Sequence, residues 1–273
     1  MKKTTALLML STFVAAPLAT AALDSETKQA IQAAIDHPDR NAKNKTRDQY
    51  RKPMDVLDFM DFKADMTVVE MWPAGGWYTE VLAPALKDKG QYIAAHYPVN
   101  PSRTYQRRYL GQFLQMVSDT ERFGNVQVTA FDLPYHTDIA PKGSADMVLT
   151  FRNAHDWMMG SSAPFNAVAY KAMFDALKPG GVLGVVDHQW DDPETWNPNS
   201  GYIPAATIIE VAESVGFEFV EESQVLDNPK DTKDHPRGVW TLPPSMALKD
   251  KDAEKYRAIG ESDRFVLKFR KPE

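Results

Sequence analysis

From residue 67 onward the chain alternates short apolar runs with longer segments of helical periodicity, and this alternation limits the fold more than any other feature. Parallel strands covered on both faces read as continuous apolar runs, and each parallel crossover needs a connecting element of a dozen or more residues, usually a helix. Strands are expected at 67–71, 91–95, 126–131, 146–151, 182–187, 217–222 and 264–270, with helices at 77–86, 102–117, 165–177 and 205–215. A mostly parallel α/β sheet follows. The last connection differs, because residues 223–263 contain Asn228-Pro229, His235-Pro236 and Pro243-Pro244 and leave no room for a packed crossover helix of the earlier kind. The final strand is therefore expected to lie antiparallel. A long stretch of this kind is uncommon in a compact domain unless it serves the site, so it is read as a lid or flap.

The other end of the chain carries a different signal. Lys2 and Lys3 precede an apolar run over 6–18, broken by Ser11, Thr12 and Pro17, and Ala19-Thr20-Ala21 has the small-x-small form of a cleavage site. A membrane anchor needs roughly 20 apolar residues, more than this run supplies. Residues 1–21 are read as a secretory signal, with the mature chain starting near Ala22 and the alternative being an uncleaved anchor. The expected destination is the periplasm or the exterior, where a chain without cysteine exposes no thiol to oxidation. Residues 22–66 are read as a helical lead-in, with a short amphipathic helix over 24–35 and a polar stretch over 36–52 wrapped on the domain surface. Residues 67–273 form the main domain.

Composition narrows the function. With 31 basic and 37 acidic side chains the net charge is −6, which argues against a nucleic-acid binder, and the lack of cysteine excludes thiolate metal sites and disulfide scaffolds. No Gly-x-Ser-x-Gly elbow is present, so a Ser-His-Asp hydrolase on an α/β sheet is disfavoured. Dinucleotide oxidoreduction is disfavoured as well, because the first turn has only Gly75-Gly76 and no spaced third glycine. What remains is a small-molecule site. In open α/β sheets ligands bind beyond the carboxyl ends of the strands, which directs attention to the turn after the first strand, Glu70-Met71-Trp72-Pro73-Ala74-Gly75-Gly76-Trp77-Tyr78-Thr79-Glu80. Its glycines permit close backbone approach to a ligand, and the helix that follows presents free N–H groups.

Together with Leu177-Lys178-Pro179-Gly180-Gly181 before the fifth strand, this turn resembles the class I S-adenosylmethionine-dependent methyltransferases. Its Trp-Pro-x-Gly-Gly-Trp-Tyr-Thr-Glu form is similar to a family of methyltransferase-like bacterial proteins that are often exported. The resemblance spans roughly 44–271, including Arg47-Asp48-Gln49-Tyr50-Arg51 and Phe151-Arg152-Asn153-Ala154-His155-Asp156-Trp157. It implies a Rossmann-like three-layer sandwich with a seven-stranded, mostly parallel sheet whose last strand inserts antiparallel, and S-adenosyl-L-methionine as cofactor. Glu70, Ala74, Gly75 and Gly76 then fall where the methionyl part is held. Trp72, Trp77 and Tyr78 fall beside it, although each also suits an ordinary core position, and Glu70 also suits a helix cap. Where such proteins usually end the second strand in an acidic residue that binds both ribose hydroxyls, this chain has His96, which is placed to bind one ribose hydroxyl but cannot accept two hydrogen bonds as a carboxylate does. Asp132 is placed to contact the adenine amino group, and Arg152 and Asn153 to line cofactor and acceptor.

The histidines supply the remaining candidates. Of six, His96, His136, His155 and His188 follow expected strand ends and should share one rim of the sheet. The strand order implied by the resemblance makes the fourth and fifth strands neighbours, which brings His155-Asp156 close to Asp187-His188. His155, Asp156 and His188 are therefore the candidate catalytic group, with histidine as a base near neutral pH. A divalent cation there is the other possibility for the rim, but no His-x-x-x-His or comparable spacing supports a metal assignment. The expected function is S-adenosylmethionine-dependent methyl transfer to an unidentified small-molecule acceptor in an exported protein. The alternative is a non-catalytic periplasmic protein binding a nucleoside, metabolite or metal on the same fold. Oligomeric state is not legible.

Overall fold

Short stretches rich in Val, Leu, Ile and Met become strands, and their side chains point alternately to two apolar layers, as the period of two requires. The computed structural model describes residues 23–101 and 103–273, so the segment read as an export signal lies outside the described residues. The strands are β1 (Thr67–Met71), β2 (Gln91–His96), β3 (Gln127–Ala130), β4 (Ala145–Phe151), β5 (Leu177–Trp190), β6 (Ile203–Pro204), β7 (Glu218–Ser223), β8 (Pro236–Val239) and β9 (Arg264–Arg270). The main sheet runs β3-β2-β1-β4-β5-β9-β7. From β3 to β5 every pairing is parallel, while β9 is antiparallel to both β5 and β7. This is the mostly parallel sheet with an antiparallel last strand that the sequence leads one to expect. β6 adds a short parallel pairing at the far end of β5.

β5 is longer than expected, beginning at Leu177 rather than Val182. The Lys178-Pro179-Gly180-Gly181 stretch bends without leaving the sheet edge, because Gly180 N–H donates to the Lys271 carbonyl and Lys271 N–H donates to the Gly181 carbonyl, both at 2.9 Å. The long stretch before β9 is also more built than expected. It contains β8 and the helix Ala253–Ile259. Buried Asp231 pins it by accepting from the Tyr202 hydroxyl at 3.0 Å, the His235 imidazole at 2.7 Å and the Asp263 N–H at 2.8 Å. The stretch does approach the site, but as a wall held by a buried carboxylate.

One face of the sheet presents Val69, Met71, Ile93, Ala95, Val148, Leu183, Val185 and Leu267 to the helices Asn166–Ala176 and Ala205–Ser214. The opposite face presents Val68, Ala94, Met147, Leu149 and Val266 to the helix Thr79–Leu86, to Phe113 and Val117, and to the N-terminal segment. That segment is part of the core: Ile31, Val56, Leu57 and Met60 are wholly excluded from solvent, and Phe62 nearly so. Its first helix, Ser25–Asp36, is capped by Asp24, whose carboxylate accepts from the Thr27 N–H at 2.8 Å. Lys268 of β9, itself buried, donates to the Phe59 carbonyl at 2.8 Å and pairs with Asp61 at 3.1 Å, which ties segment to sheet. No helix among the described residues is long and apolar enough to cross a membrane.

Truncating a side chain this deeply buried costs about 2–5 kcal/mol. Leu57→Ala should therefore lower the unfolding free energy of the whole protein by that amount in urea titrations followed by tryptophan fluorescence. A loss below about 1 kcal/mol would mean that the N-terminal helices detach without disturbing the sheet.

Candidate functional site

The strand order reverses between β1 and β4, and a cleft of about 670 Å³ opens there at the carboxyl ends of the strands. That volume is within the range of sites for small organic ligands. Its floor is the turn after β1, where Trp72, Ala74 and Gly76 have φ of +41°, +50° and +78°. Only the last is a glycine, and a Cβ there would stand 2.3 Å from Cε of Met116. The first two are backbone conformations that ordinary residues rarely adopt. Three contacts hold them: Trp72 N–H donates to the Ala95 carbonyl at 2.8 Å, Trp72 Nε1–H to the Phe131 carbonyl at 2.8 Å, and His96 Nε2 meets the Ala74 carbonyl at 3.1 Å.

That last contact changes the role expected of His96. The Tyr97 N–H donates to His96 Nδ1 at 2.7 Å, so Nε2 carries the ring proton and gives it to Ala74. Both nitrogens are occupied, burial lowers the imidazole to about 4, and the ring does not line the cleft. His96 is a neutral strut beneath the turn and has nothing left for a ribose. Asp132 is also displaced from its expected place. It closes a tight turn with His136, each donating its N–H to the other's carbonyl, and neither residue lines the cleft. Gly76 lies just behind the surface that Ala74 and Gly75 present.

Glu70 does reach the cleft, although it is only 3% exposed. Its Oε2 accepts from the hydroxyls of Thr79 at 2.9 Å and Tyr92 at 2.5 Å. Burial raises the carboxyl to about 7 against the opposing pull of those two bonds. Trp77 and Tyr78 line the cleft but spend most of their surface on packing. The Trp77 indole N–H donates to the Asn44 carbonyl at 3.0 Å, and Tyr78 lies flat on Phe151 with centroids 3.4 Å apart. Trp72 packs on Tyr97, Phe131 and Trp157. Tyr97, Tyr105 and Tyr109 form an aromatic wall that sequence reasoning did not assign.

At the ends of β4 and β5 the expected neighbours do meet. Asp187, fully buried, accepts from His155 Nδ1 at 2.8 Å, from the His155 N–H at 3.0 Å and from its neighbour's N–H at 2.7 Å. Burial disfavours a charged His155, but the carboxylates of Asp187 and Asp156 outweigh it and hold the imidazole above its ordinary value. Its Nε2 is 3.8 Å from Asp156, and both residues line the cleft. His188 is different. Arg152 Nε–H donates to its Nε2 at 3.2 Å and its Nδ1 is paired with the Ser262 hydroxyl, so the ring has no free nitrogen. Burial and the charge of Arg152 push its pKa far down, and it does not line the cleft. The catalytic role expected of His188 is therefore replaced by a supporting one, holding Arg152. His155, Asp187 and His188 are close enough to surround a cation, but only His155 Nε2 keeps an uncommitted lone pair on nitrogen. Asn153 donates to the Met71 carbonyl at 2.8 Å and so fastens the β4 turn to the end of β1.

The residues most clearly missed by sequence reasoning come from the N-terminal segment. Arg47 Nε pairs with Glu261 Oε1 at 2.5 Å, Arg51 Nε with Glu261 Oε2 at 3.3 Å, and Arg264 with the same carboxylate. Burial opposes charge on Glu261, yet the surrounding arginines hold it well below the usual carboxylate range. Arg51 also lies over the Trp77 ring at 4.6 Å. The Arg-x-x-x-Arg spacing on one helical face was a visible signal; its partner, more than 200 residues away, gave none.

No protein-family model and no curated protein matches the chain. Among solved structures it is similar to an S-adenosylmethionine-dependent methyltransferase from Aquifex aeolicus, at 13% identity over 89% of this chain and 97% of that one, with a TM-score of 0.53. A putative sarcosine dimethylglycine methyltransferase from Galdieria sulphuraria gives 14% identity, coverage of 85% and 88%, and a TM-score of 0.55. The [4+2]-cyclase SpnF gives 15% identity, coverage of 90% and 93%, and a TM-score of 0.53. At such identities the likeness is one of architecture, and the chain has the fold of the class I methyltransferases.

Proposed function

We propose that the protein is exported and transfers a methyl group from S-adenosylmethionine to a small-molecule acceptor bound in the cleft. The observation that carries the reading is the Asp187–His155 pair opening onto a cleft whose floor is the left-handed turn after β1. The donor set suits the methionyl half of the cofactor, with Glu70 available to an ammonium and arginines to a carboxylate. The aromatic wall of Tyr97, Tyr105 and Tyr109 suits an adenine face. Bound there, the cofactor would supply an electrophilic methyl group on a sulfonium.

The chain's own contribution is positioning and proton removal. Asp187 fixes the His155 ring by taking both its Nδ1–H and its backbone N–H, which leaves Nε2 free to accept a proton from an acceptor nucleophile. A base must first be unprotonated. The raised pKa of His155 therefore means that its activity as a base increases as pH rises through a value above the ordinary imidazole range. The tilted and T-shaped contacts of Trp72 with Tyr97 and Trp157, all three buried, exclude water from one side.

A second reading, a binding protein without transfer, has one specific observation in its favour. Neither residue expected at ribose and adenine lines the cleft: both nitrogens of His96 are occupied elsewhere, and Asp132 lies in the tight turn with His136. The fold also hosts a cyclase, so architecture does not decide the reaction.

Calorimetry on the mature chain separates the two readings. Micromolar binding of S-adenosylmethionine and S-adenosylhomocysteine, corresponding to about −8 kcal/mol, is expected from a transferase; no binding at millimolar concentration would leave only the second reading. Because Glu70 must be ionised to hold an ammonium, binding should tighten as pH rises through about 7, and Glu70→Gln should abolish that dependence. Nitrogen-detected NMR of His155 should give a pKa above the ordinary value in the wild type and a lower one in Asp187→Asn; equal values would remove Asp187 from the proton-accepting unit. Export is tested by N-terminal sequencing of the periplasmic protein, which should begin at or beside Ala22. Recovery of only full-length chain from the cytosol would overturn it.

A further inference from the structure

The protein has a net charge of −6, yet Arg47, Arg51, Arg103, Arg108 and Arg152 face the cleft against two carboxylates, Glu70 and Asp156. Two of these arginines, together with Arg264, share Glu261 alone. Three guanidiniums on one carboxylate leave two positive charges without a counter-ion. Arg152 adds another, since its hydrogen bond is to the neutral imidazole of His188 and it has no ion pair among the described residues. Arg47 Nη2 is buried and has no hydrogen-bond partner. Arg152 is also held at φ +63°, a strained backbone position that directs the end of β4 into the cleft.

Like charges packed this closely and half withdrawn from water are costly unless an anion joins them. Burial and the neighbouring arginines depress the pKa of Arg152 to about 10 and that of Arg51 far below its usual value. An arriving oxyanion would relieve both effects, and planar guanidiniums bind carboxylate and phosphate in two-toothed fashion.

We propose that the end of the cleft bounded by Arg47, Arg51 and Arg152 is an oxyanion subsite that receives a carboxylate or phosphate carried by the methyl acceptor. As an assignment of acceptor class this rests on the methyl-transfer reading; as a binding site it stands without it. Arg152 and His155 leave the same β4 turn, so the oxyanion would anchor the acceptor beside the base. The carboxylate of the cofactor is the other source of the same chemistry. S-adenosylhomocysteine carries that same carboxylate, so a subsite belonging to the cofactor would lose its anion when S-adenosylhomocysteine binds, whereas one belonging to the acceptor would keep it.

The test is calorimetric titration of the mature chain with inorganic phosphate, and separately with malonate, at low ionic strength, alone and with saturating S-adenosylhomocysteine. Saturable binding of phosphate or malonate is expected in both states. Arg152→Gln should weaken it tenfold or more, while Lys178→Gln, at the opposite end of the sheet, leaves it unchanged. Should Arg152→Gln fail to fold, Arg47→Gln carries the same expectation. Absence of saturable anion binding, equal affinity in wild type and both arginine variants, or displacement of the anion by S-adenosylhomocysteine would each overturn the proposal. S-adenosylhomocysteine binding without anion binding would sink the subsite and spare methyl transfer. Anion binding without S-adenosylhomocysteine binding would keep the subsite and remove the methyl-transfer reading.

Discussion

A single buried carboxylate, that of Glu261, joins the N-terminal helices to the start of the last strand and holds two of the arginines that line the cleft. Arg47 and Arg51 arrive from the N-terminal helices and Arg264 from the start of β9, and all three converge on it. Removing that carboxylate would leave three guanidiniums together without compensation, at a cost of roughly 3–5 kcal/mol. The position of the N-terminal segment, the placement of Arg47 and Arg51 in the cleft lining and the start of β9 are thus coupled through one residue. The parallel sheet beneath supplies the platform on which that coupling acts.

The architecture was largely legible because both faces of the sheet are buried, and apolar runs then announce strands directly. The antiparallel last strand could be foreseen from the lack of a crossover helix of the earlier kind. β5 could not be bounded correctly, since Lys178-Pro179-Gly180-Gly181 carries every sign of a turn and is kept in the sheet by hydrogen bonds to Lys271, more than 80 residues away. The meeting of His155 with Asp187 was readable from strand order.

Site roles were less legible, for a physical reason. Position at a strand end says that a histidine is near the rim, but not what its two nitrogens bond to. His96 and His188 both occupy the rim and both are saturated by neighbours, one by backbone and one by Ser262 and Arg152. Arg47, Arg51 and Arg264 went unassigned for the converse reason. Their charge is ordinary in sequence, and it becomes informative only when all three are found around one carboxylate with others facing the same space.

The left-handed residues beneath the cleft have a further consequence. Each non-glycine residue in such a conformation costs of order 1–3 kcal/mol, and here two of the three are tryptophan and alanine, locked by hydrogen bonds to β2 and to Phe131 just past β3. Tryptophan and alanine also have fewer conformations to lose than glycine would. The entropy of shaping this floor is therefore spent during folding, and a ligand arriving later meets a rigid mould whose tolerance for differently shaped guests is correspondingly small.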